Sequence, residues 1–438
     1  MESAMTDITE QVKAARAASV EMSTLTTAVK NKALSNMMKA LDSERSQVLR
    51  SNGEDVEAVR DKIPQPMLKR MLVSDAKIDE MIKGIESVIS LEDPVGETMD
   101  TMELDEGLTL YKVSCPIGVI GVVFESRPDV VPQIMSLCIK SGNCVAFKGG
   151  REAIKTIRCL FDTLRNAAAE AGVPKDAFVL LESREDVDEI LSLDGYIDLL
   201  IPRGSNQFVR HVMENTNIPV LGHAAGICTV FVDSECDRNK VVPLVVDSKA
   251  QYPAVCNAAE NLLIDSSVAE ELLPKIVEGL CGAGVEVRGD DRVAAIVKDV
   301  VPAKEEDWET EYGDLIISAK VVDSLKDAID FINTHGSHHT DAIITENMAK
   351  AAVFANMVDS ADVMVNASTR FADGFRYGKG AEVGISTNKI HARGPMGMEG
   401  LMIYKYVLIG SGQVVKDYVG PQAKPFRHKR TENECPLR

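Results

Sequence analysis

The sequence contains no Cys-x-x-Cys pair among its nine cysteines, so neither a zinc ribbon nor a disulfide framework is indicated. The dispersion and odd number of these cysteines fit a reducing compartment, and we expect a cytoplasmic protein. Long apolar runs are also missing: the longest, such as residues 113–124, are short and interrupted by glycine, so no membrane-spanning segment is expected. The first ten residues lack the apolar centre of a signal peptide.

Positive charge is scarce as well. The chain has 48 Lys and Arg against 67 Asp and Glu, which gives a formal net charge of −19. This acidity argues against nucleic acid or an anionic membrane as the main partner. Local arginines and lysines must therefore meet any anionic substrate. At roughly 100–200 residues per domain, the 438 residues predict two or three domains.

The organisation of the chain changes along its length. Residues 6–90 have apolar residues at helical spacing, which predicts a helical segment. Residues 98–113 alternate apolar and polar side chains around a glycine, which predicts a β-hairpin that pairs with another chain or with a strand over 401–409. From Pro116 onwards strands and helices alternate, which predicts parallel sheets wound on both faces. The polar tail from Gln422 is expected to be loosely ordered.

Residues 247–265 carry the strongest chemical signal. Pro253 suits the first position of a helix. Cys256 would then lie in the first helical turn, where the positive end of the helix favours a thiolate nucleophile. The nearby backbone N–H groups would stabilise an oxyanion. The spacing alone leaves a second interpretation open, in which Cys256 is a small buried apolar residue.

Two other strand ends have features of a nucleotide site. The segment from Lys148 to Arg151 combines two cations with two glycines, and Gly204 and Ser205 precede a predicted helix. Phosphate can approach bare backbone at such places. The G-x-G-x-x-G fingerprint is absent, so glycine turns that serve only the fold remain an alternative.

A loop rich in histidine and a loop rich in glycine complete the candidates. His335, His338 and His339 precede a predicted strand. We expect no metal there, because no carboxylate lies at familiar metal-ligand spacing, although a structural metal is the alternative. Loops as long as residues 364–387 are often functional. The guanidinium groups of Arg370 and Arg376 can bind carboxylate or phosphate.

At Gln251-Tyr-Pro-Ala-Val-Cys256-Asn-Ala the chain resembles the nucleophile segment of the aldehyde dehydrogenase superfamily. Within that superfamily it resembles the γ-glutamyl phosphate reductase family most specifically. The narrower resemblance rests on four stretches, which are residues 322–343, 365–374, 380–386 and 391–397.

The resemblance implies an α/β fold with a doubly wound parallel-sheet cofactor domain, an α/β catalytic domain and a small β oligomerisation flap. It also implies a homodimer or higher homo-oligomer. No kinase domain is expected ahead of it. The implied bounds are residues 1–97 and 114–225 with part of 360–397 for the cofactor domain, 226–360 for the catalytic domain, 98–113 and 398–418 for the flap, and 419–438 for a tail.

The reaction that the resemblance implies is NADPH-dependent reduction of γ-glutamyl phosphate to glutamate 5-semialdehyde and phosphate, in proline biosynthesis. Cys256 would carry a thioester. His223 lies where hydrolytic aldehyde dehydrogenases have their deacylating glutamate, and loss of that base suits an enzyme that exchanges phosphate instead of water. Whether His223 acts as an acid–base or only packs stays open. Association with a glutamate 5-kinase is a further hypothesis.

The resemblance also implies cofactor residues. Lys148 matches the lysine that holds the adenosine ribose, and the nearby Arg151 can meet a 2′-phosphate. Gly204 and Ser205 match the pair that opens the helix over the pyrophosphate. Glu311 matches the glutamate that holds the nicotinamide ribose.

The substrate side departs from the superfamily pattern. Ser126 occupies the position of the oxyanion-hole asparagine, so the second oxyanion donor is unassigned. Arg127 is expected to hold phosphate, and Asn366, Arg370 and Arg376 are expected to bind substrate. Two rival functions remain, a hydrolytic semialdehyde dehydrogenase and a non-catalytic dinucleotide-binding homologue.

Overall fold

The computed structural model describes residues 8–63, 65–182, 186–379 and 382–437. Within these residues no helix is long and apolar enough to cross a membrane. The α-helices are α1 (Ile8–Met22), α2 (Thr27–Ser43), α3 (Arg45–Val59), α4 (Gln65–Met71), α5 (Asp75–Ser90), α6 (Val130–Ser141), α7 (Ile154–Ala169), α8 (Asp186–Leu191), α9 (Asn206–Glu214), α10 (Arg238–Ala250), α11 (Ser266–Gly282), α12 (Asp291–Ile296), α13 (Leu325–His335) and α14 (Met348–Met357).

The β-strands form two parallel sheets and two antiparallel ones. They are β1 (Thr98–Asp105), β2 (Leu108–Pro116), β3 (Val119–Phe124), β4 (Cys144–Gly149), β5 (Phe178–Leu181), β6 (Leu199–Arg203), β7 (Cys228–Val232), β8 (Ala259–Asp265), β9 (Glu286–Gly289), β10 (Val301–Pro302), β11 (Ile316–Val322), β12 (Thr340–Ile344), β13 (Asp362–Val365), β14 (Gly384–Ser386), β15 (Gly394–Met396), β16 (Met402–Ile409) and β17 (Lys429–Thr431).

The chain forms two compact units. The first consists of Met1–Gly204, His211–Val220 and Gly397–Arg438, and the second of Ser205–Arg210 and Leu221–Met396. The predicted helical segment is confirmed in the first unit as α1 to α5. Side-chain oxygens of Thr26 and Ser74 cap α2 and α5, since each accepts a backbone N–H of the first turn.

The parallel sheet of the first unit has the strand order β5-β4-β3-β6. Every residue of β3 and β4 is buried, which explains their continuous apolar runs. Strands β3, β4 and β5 follow one another towards one edge of the sheet, whereas β6 lies on the other side of β3. This reversal creates a topological switch point between β3 and β6, the kind of place where ligands bind beyond the carboxyl ends of strands. Val220 adds only an isolated parallel bridge to Leu200 of β6.

The second sheet of the first unit is antiparallel, in the order β16-β2-β1-β17. The predicted pairing of the hairpin with the strand near residue 401 is confirmed, because β16 pairs with β2 along its whole length. The expectation of a loosely ordered tail is wrong, since β17 pairs with β1 from Thr101 to Glu103. The reason is that the outer edge of β1 offers unpaired backbone groups, which the tail satisfies.

The second unit contains a seven-stranded parallel sheet in the order β10-β9-β11-β8-β7-β12-β13. Its central strands β8, β7 and β12 are buried along their whole length. Val230 and Val232 pack in the cluster that includes α10 and α11, whereas Phe231 between them packs with residues of α13 and α14. This alternation explains why β7 is apolar without a break.

The helix predicted to begin at Pro253 is absent. Residues 251–258 form turns instead, with a hydrogen bond from Ala258 N to Val255 O of 3.0 Å. The physical reason is the connection: α10 ends at Ala250 and β8 begins at Ala259, so eight residues must reverse the chain between a helix and a buried strand. Residues 251–258 therefore provide no helix N-terminus that would stabilise a Cys256 thiolate.

Candidate active site

Three chain segments bring side chains to the amino edge of the seven-stranded sheet. His223 precedes β7, Cys256 precedes β8 and His339 directly precedes β12. These three strands are neighbours in the order β8-β7-β12 and run parallel. Their preceding loops therefore meet at one edge, where the ligand atoms of the three side chains all lie within 4.8 Å of one another.

The orientation of His223 fixes its tautomer. Its Nδ1 lies 2.8 Å from the carbonyl oxygen of Ile385. Because a carbonyl oxygen only accepts hydrogen bonds, Nδ1 carries the proton and the lone pair of the neutral ring lies on Nε2. An imidazole in this state beside a thiol is an acceptor for the thiol proton.

His339 is completely buried and packs edge-to-face against His223, with the ring centroids 4.9 Å apart. Its Nδ1 lies 2.8 Å from Thr340 Oγ1. Its Nε2 has no hydrogen-bond partner among the described residues. Such a buried orphan nitrogen is unusual in a native protein and marks a place where a ligand or reacting group completes the site.

Two small residues, Gly226 just before β7 and Cys228 at its start, position the turn that carries Cys256. The Cys228 thiol donates to the backbone carbonyl of Cys256 at 3.2 Å, and burial holds the pKa of Cys228 well above that of a free thiol. A Cβ added to Gly226 would lie 2.2 Å from the same carbonyl oxygen. Only glycine therefore permits this approach of the two segments.

A cation lies within electrostatic range of Cys256. Arg370 is buried, its Nε donates to Gln251 Oε1 at 3.0 Å, and its charge interacts with Cys256. Arg376 lies further along the same loop, is exposed and pairs with Asp373 at 3.3 Å. Arg370 is thus the better placed of the two predicted arginines to meet an anionic substrate.

A buried ion pair lies beside the cluster. Lys249 Nζ donates to Glu260 Oε2 at 2.6 Å, and both side chains are fully buried. Burial lowers the pKa of Lys249 and raises the pKa of Glu260 to about 7. The charge of each partner opposes the effect that burial has on the pKa of the other.

The predicted substrate residue Asn366 is not brought to Cys256. It follows β13 at the opposite, carboxyl edge of the sheet. Its amide bonds both backbone groups of Thr345, accepting from the N–H at 3.0 Å and donating to the carbonyl at 2.8 Å. A left-handed backbone with φ of 54° lets it do so. This geometry is that of a structural bridge between β12 and β13.

The predicted cofactor residues of the first unit lie at the carboxyl edge of its sheet. Lys148 is buried near the end of β4. Gly149 and Gly150 follow, and at Gly149 an added Cβ would lie 2.5 Å from Ile157 Cδ1. Gly204 follows β6, next to the switch point. Glycine backbone that phosphate can approach, together with a lysine near a switch point, is typical of a dinucleotide-binding site.

The second unit contributes one more contact of this kind. Asn206, the first residue of α9, donates from Nδ2 to Glu311 Oε2 at 2.6 Å. Ser205 immediately precedes it. The helix start predicted for pyrophosphate and the glutamate predicted for the nicotinamide ribose are therefore connected by a hydrogen bond.

Ser126 is already engaged where the oxyanion donor was expected. Its N–H and its hydroxyl both donate to Glu152 Oε1, at 2.7 and 2.6 Å, and its backbone φ is 47°. Arg127 beside it is half-buried. A substrate role for either residue stays a prediction, and in the structure Ser126 anchors Glu152.

Sequence reasoning did not identify His339, Cys228 or Gly226 as parts of the site. Each lies within two residues of the start of a buried strand or at that start, as His223 and Cys256 lie just before theirs. This shared position next to a strand start is the sequence feature that could have identified them as parts of the site. It becomes informative only when β12, β7 and β8 are known to be neighbours, and the sequence does not show their order.

Comparison with known proteins agrees with the geometry. Residues 1–288 match the family model described as the aldehyde dehydrogenase family. The chain is 55% identical over 437 residues to a γ-glutamyl phosphate reductase of Methanosarcina barkeri, covering 97% of this chain and 98% of that protein. It is 56% identical over 440 residues to the one of Methanococcoides burtonii, covering 98% of each.

The crystal structure of a γ-glutamyl phosphate reductase from Thermotoga maritima superposes with a TM-score of 0.91 at 42% identity, covering 92% of this chain and 99% of that one. An acetylating aldehyde dehydrogenase from Geobacillus thermoglucosidasius, at 16% identity and a TM-score of 0.63, shares the fold. The chain therefore belongs to the aldehyde dehydrogenase family and, within it, to the γ-glutamyl phosphate reductases.

Proposed function

We propose that this protein reduces γ-glutamyl phosphate to glutamate 5-semialdehyde and phosphate through a thioester on Cys256, with NADPH as the reductant. The observation that carries the proposal is the amino edge of the second sheet, where a thiol lies within 4.8 Å of an imidazole whose lone pair is on Nε2. The near-complete match to γ-glutamyl phosphate reductases supports the choice of substrate.

His223 acts as the proton carrier in this mechanism. Its Nε2 takes the thiol proton of Cys256, and the thiolate attacks the acyl carbon. The carbon–oxygen bond to phosphate then breaks, the imidazolium returns its proton to the departing phosphate, and Cys256 is left as a thioester. Arg370 lies close enough to interact with the charge at Cys256 and stabilises the anionic substrate.

The reduced nicotinamide, when bound, supplies a hydride to the thioester carbon. The carbon–sulfur bond then breaks, the aldehyde leaves, and the Cys256 thiolate takes a proton from solvent. Lys148, Gly204 and Ser205 would hold the cofactor's adenosine ribose and pyrophosphate, and Glu311 its nicotinamide ribose. The positive charge of Arg151 beside Lys148 favours a cofactor with a 2′-phosphate, which is why we propose NADPH over NADH.

The same proposal assigns roles to the larger parts of the chain. The first unit supplies Lys148 and Gly204 for the cofactor, the second supplies Ser205, Glu311 and the nucleophile, and the hairpin sheet mediates homo-oligomerisation. Its edge strand β16 leaves Tyr404, Tyr406 and Leu408 exposed, by 42%, 62% and 55%. Light scattering on the intact protein tests the last point, and a monomer at working concentration would contradict it.

The decisive experiment follows NADP⁺ reduction with glutamate 5-semialdehyde, with and without added phosphate. We expect the wild type to require phosphate, because the thioester is released by phosphate and not by water. Cys256→Ser should lose at least about 10³-fold in turnover while its circular dichroism stays native. Cys281→Ser, which changes an exposed cysteine, is the matched control. Turnover without phosphate would identify a hydrolytic enzyme instead.

A further inference from the structure

The Cys256 cluster has the composition of a metal site as well as that of a catalytic one. Cys256, His223 and His339 offer one sulfur and two imidazole nitrogens within 4.8 Å. Thiolate and imidazole are preferred ligands of Zn²⁺. Three protein ligands are enough for a tetrahedral site whose fourth position is taken by water or another small ligand. Tetrahedral zinc needs ligand atoms about 3.3–3.6 Å apart, so zinc binding would draw the three side chains together.

A second observation points to an ion at this place. The Nε2 atom of His339 is fully buried and has no hydrogen-bond partner in the part of the chain that the structure describes. Native proteins rarely leave such an atom unsatisfied. A metal bond to this nitrogen would satisfy it.

The outer contacts of the two histidines are those of metal ligands. His223 donates from Nδ1 to the Ile385 carbonyl at 2.8 Å, and His339 Nδ1 lies 2.8 Å from Thr340 Oγ1. Histidines that bind metal through one nitrogen almost always hold a protein group with the other, which fixes the ring orientation and tautomer.

We propose that Cys256, His223 and His339 form a reversible Zn²⁺ site that holds the nucleophile inactive. Zinc displaces the thiol proton and occupies the sulfur, so the same atoms that perform the chemistry become unavailable to substrate. The sequence had suggested no metal, because its histidines were considered as one loop and not together with a cysteine from another. Inhibition rests on the proposed function, whereas binding does not.

Zinc affinity is measured on the full chain in phosphate-free buffer, by competition with a chromophoric chelator. We expect one Zn²⁺ per wild-type chain. Cys256→Ser and His339→Gln should each weaken binding at least about tenfold. His335→Gln changes a histidine that lies four residues before His339 and pairs with Glu309. It should leave zinc affinity unchanged.

Co²⁺ provides an independent readout of the sulfur ligand. The wild type should show a thiolate-to-cobalt charge-transfer band that is absent in Cys256→Ser and kept in Cys281→Ser. If His339→Gln fails to fold, His223→Gln takes its place in the comparison. Wild-type zinc affinity in both histidine variants, or in Cys256→Ser, would overturn the proposal.

The activity assay separates this proposal from the function on which its inhibition depends. Zinc should inhibit the wild type, and a chelator should restore full activity. Stoichiometric binding at Cys256 in a protein without reductase activity would refute the proposed function and leave the metal site standing. An active enzyme that zinc neither binds nor inhibits would refute the metal site and leave the proposed function standing.

Discussion

The two parallel sheets present their candidate functional groups at opposite edges. In the first unit, Lys148 and Gly204 lie at the carboxyl ends of β4 and β6, beside the switch point. In the second unit, Cys256, His223 and His339 precede β8, β7 and β12 and lie at the amino edge. The rule that parallel sheets bind ligands beyond their carboxyl ends therefore describes only one of the two.

The polar contacts of the second sheet explain the difference. At its carboxyl edge, Asp233 accepts from Thr345 Oγ1 at 2.7 Å and from Lys350 Nζ at 2.9 Å, and Asn366 bonds the Thr345 backbone. At its amino edge, buried polar atoms such as His339 Nε2 and Asn257 Oδ1 have no hydrogen-bond partner among the residues that the structure describes. An edge whose polar atoms already bond one another serves the fold, whereas orphan atoms mark chemistry.

The first prediction removes the buried cation of the amino edge. Lys249→Met leaves Glu260 buried without its partner, so unfolding free energy should fall by about 3–5 kcal/mol. Urea denaturation at pH 7.5 measures this. The loss should shrink below pH 6, because burial raises the pKa of Glu260 to about 7 and the carboxyl is neutral there.

The double variant Lys249→Met/Glu260→Gln is the control for that result. It removes both charges and should recover most of the lost stability, since neutral groups of similar size avoid the desolvation cost. If the double variant is as unstable as the single one, shape and not charge holds this edge together. The amino edge would then differ from the carboxyl edge, where Lys350 pairs with Asp233 at 2.9 Å.

The contrast between the edges also shows which features of the fold and of the site can be predicted from the sequence. The prediction of alternating strands and helices from Pro116 onwards is confirmed, because strands buried on both faces, such as β3, β4 and β7, leave continuous apolar runs. Cys256 was identified as the nucleophile candidate from its segment, but the expected helix around it was wrong, because chain reversal between α10 and β8 overrides a local preference for helix. Such tertiary demands are not visible in a window of residues.

The surroundings of His339 and Asn366 depend on strand order for a related reason. His339 was considered a loop histidine, and only the neighbouring position of β12 and β7 brings it to Cys256. Asn366 lies in a family motif, yet its amide is used by Thr345. Sequence patterns give the residue types of a site, whereas strand order and hydrogen-bond partners decide which of them meet.

The second prediction concerns pH and the buried Asp341 at the start of β12. Burial raises the pKa of Asp341 to about 6, so the folded state binds a proton that the unfolded chain has already released. This contribution to stability is complete below about pH 4 and is lost as pH rises through about 6. Asp341→Asn removes the titration and should gain up to about 3 kcal/mol relative to the wild type between pH 4 and pH 7.

Unfolding of both proteins across this range isolates the effect, because all other carboxyl groups titrate in each. Asn keeps an acceptor for the Thr229 N–H, which now donates to Asp341 at 2.7 Å. A stability difference that does not change with pH would show that Asp341 is not buried as a charged group at neutral pH. The amino edge would then not contain a buried Asp341 carboxylate at neutral pH.

The smallest effects come from paired changes at the two carboxyl edges, and they test the comparison directly. Lys148→Met should raise the KM for NADPH about tenfold, equal to about 1.4 kcal/mol, with kcat and stability nearly unchanged. Asn366→Gly suits the left-handed backbone and removes the bonds to Thr345, so it should cost about 2 kcal/mol of unfolding free energy with both kinetic constants unchanged. Steady-state kinetics of the two variants measures kcat and the KM for NADPH, and urea denaturation measures their unfolding free energy. The opposite pattern, a kinetic defect in Asn366→Gly or an unchanged KM in Lys148→Met, would mean that satisfied hydrogen bonds do not separate structural edges from functional ones in this protein.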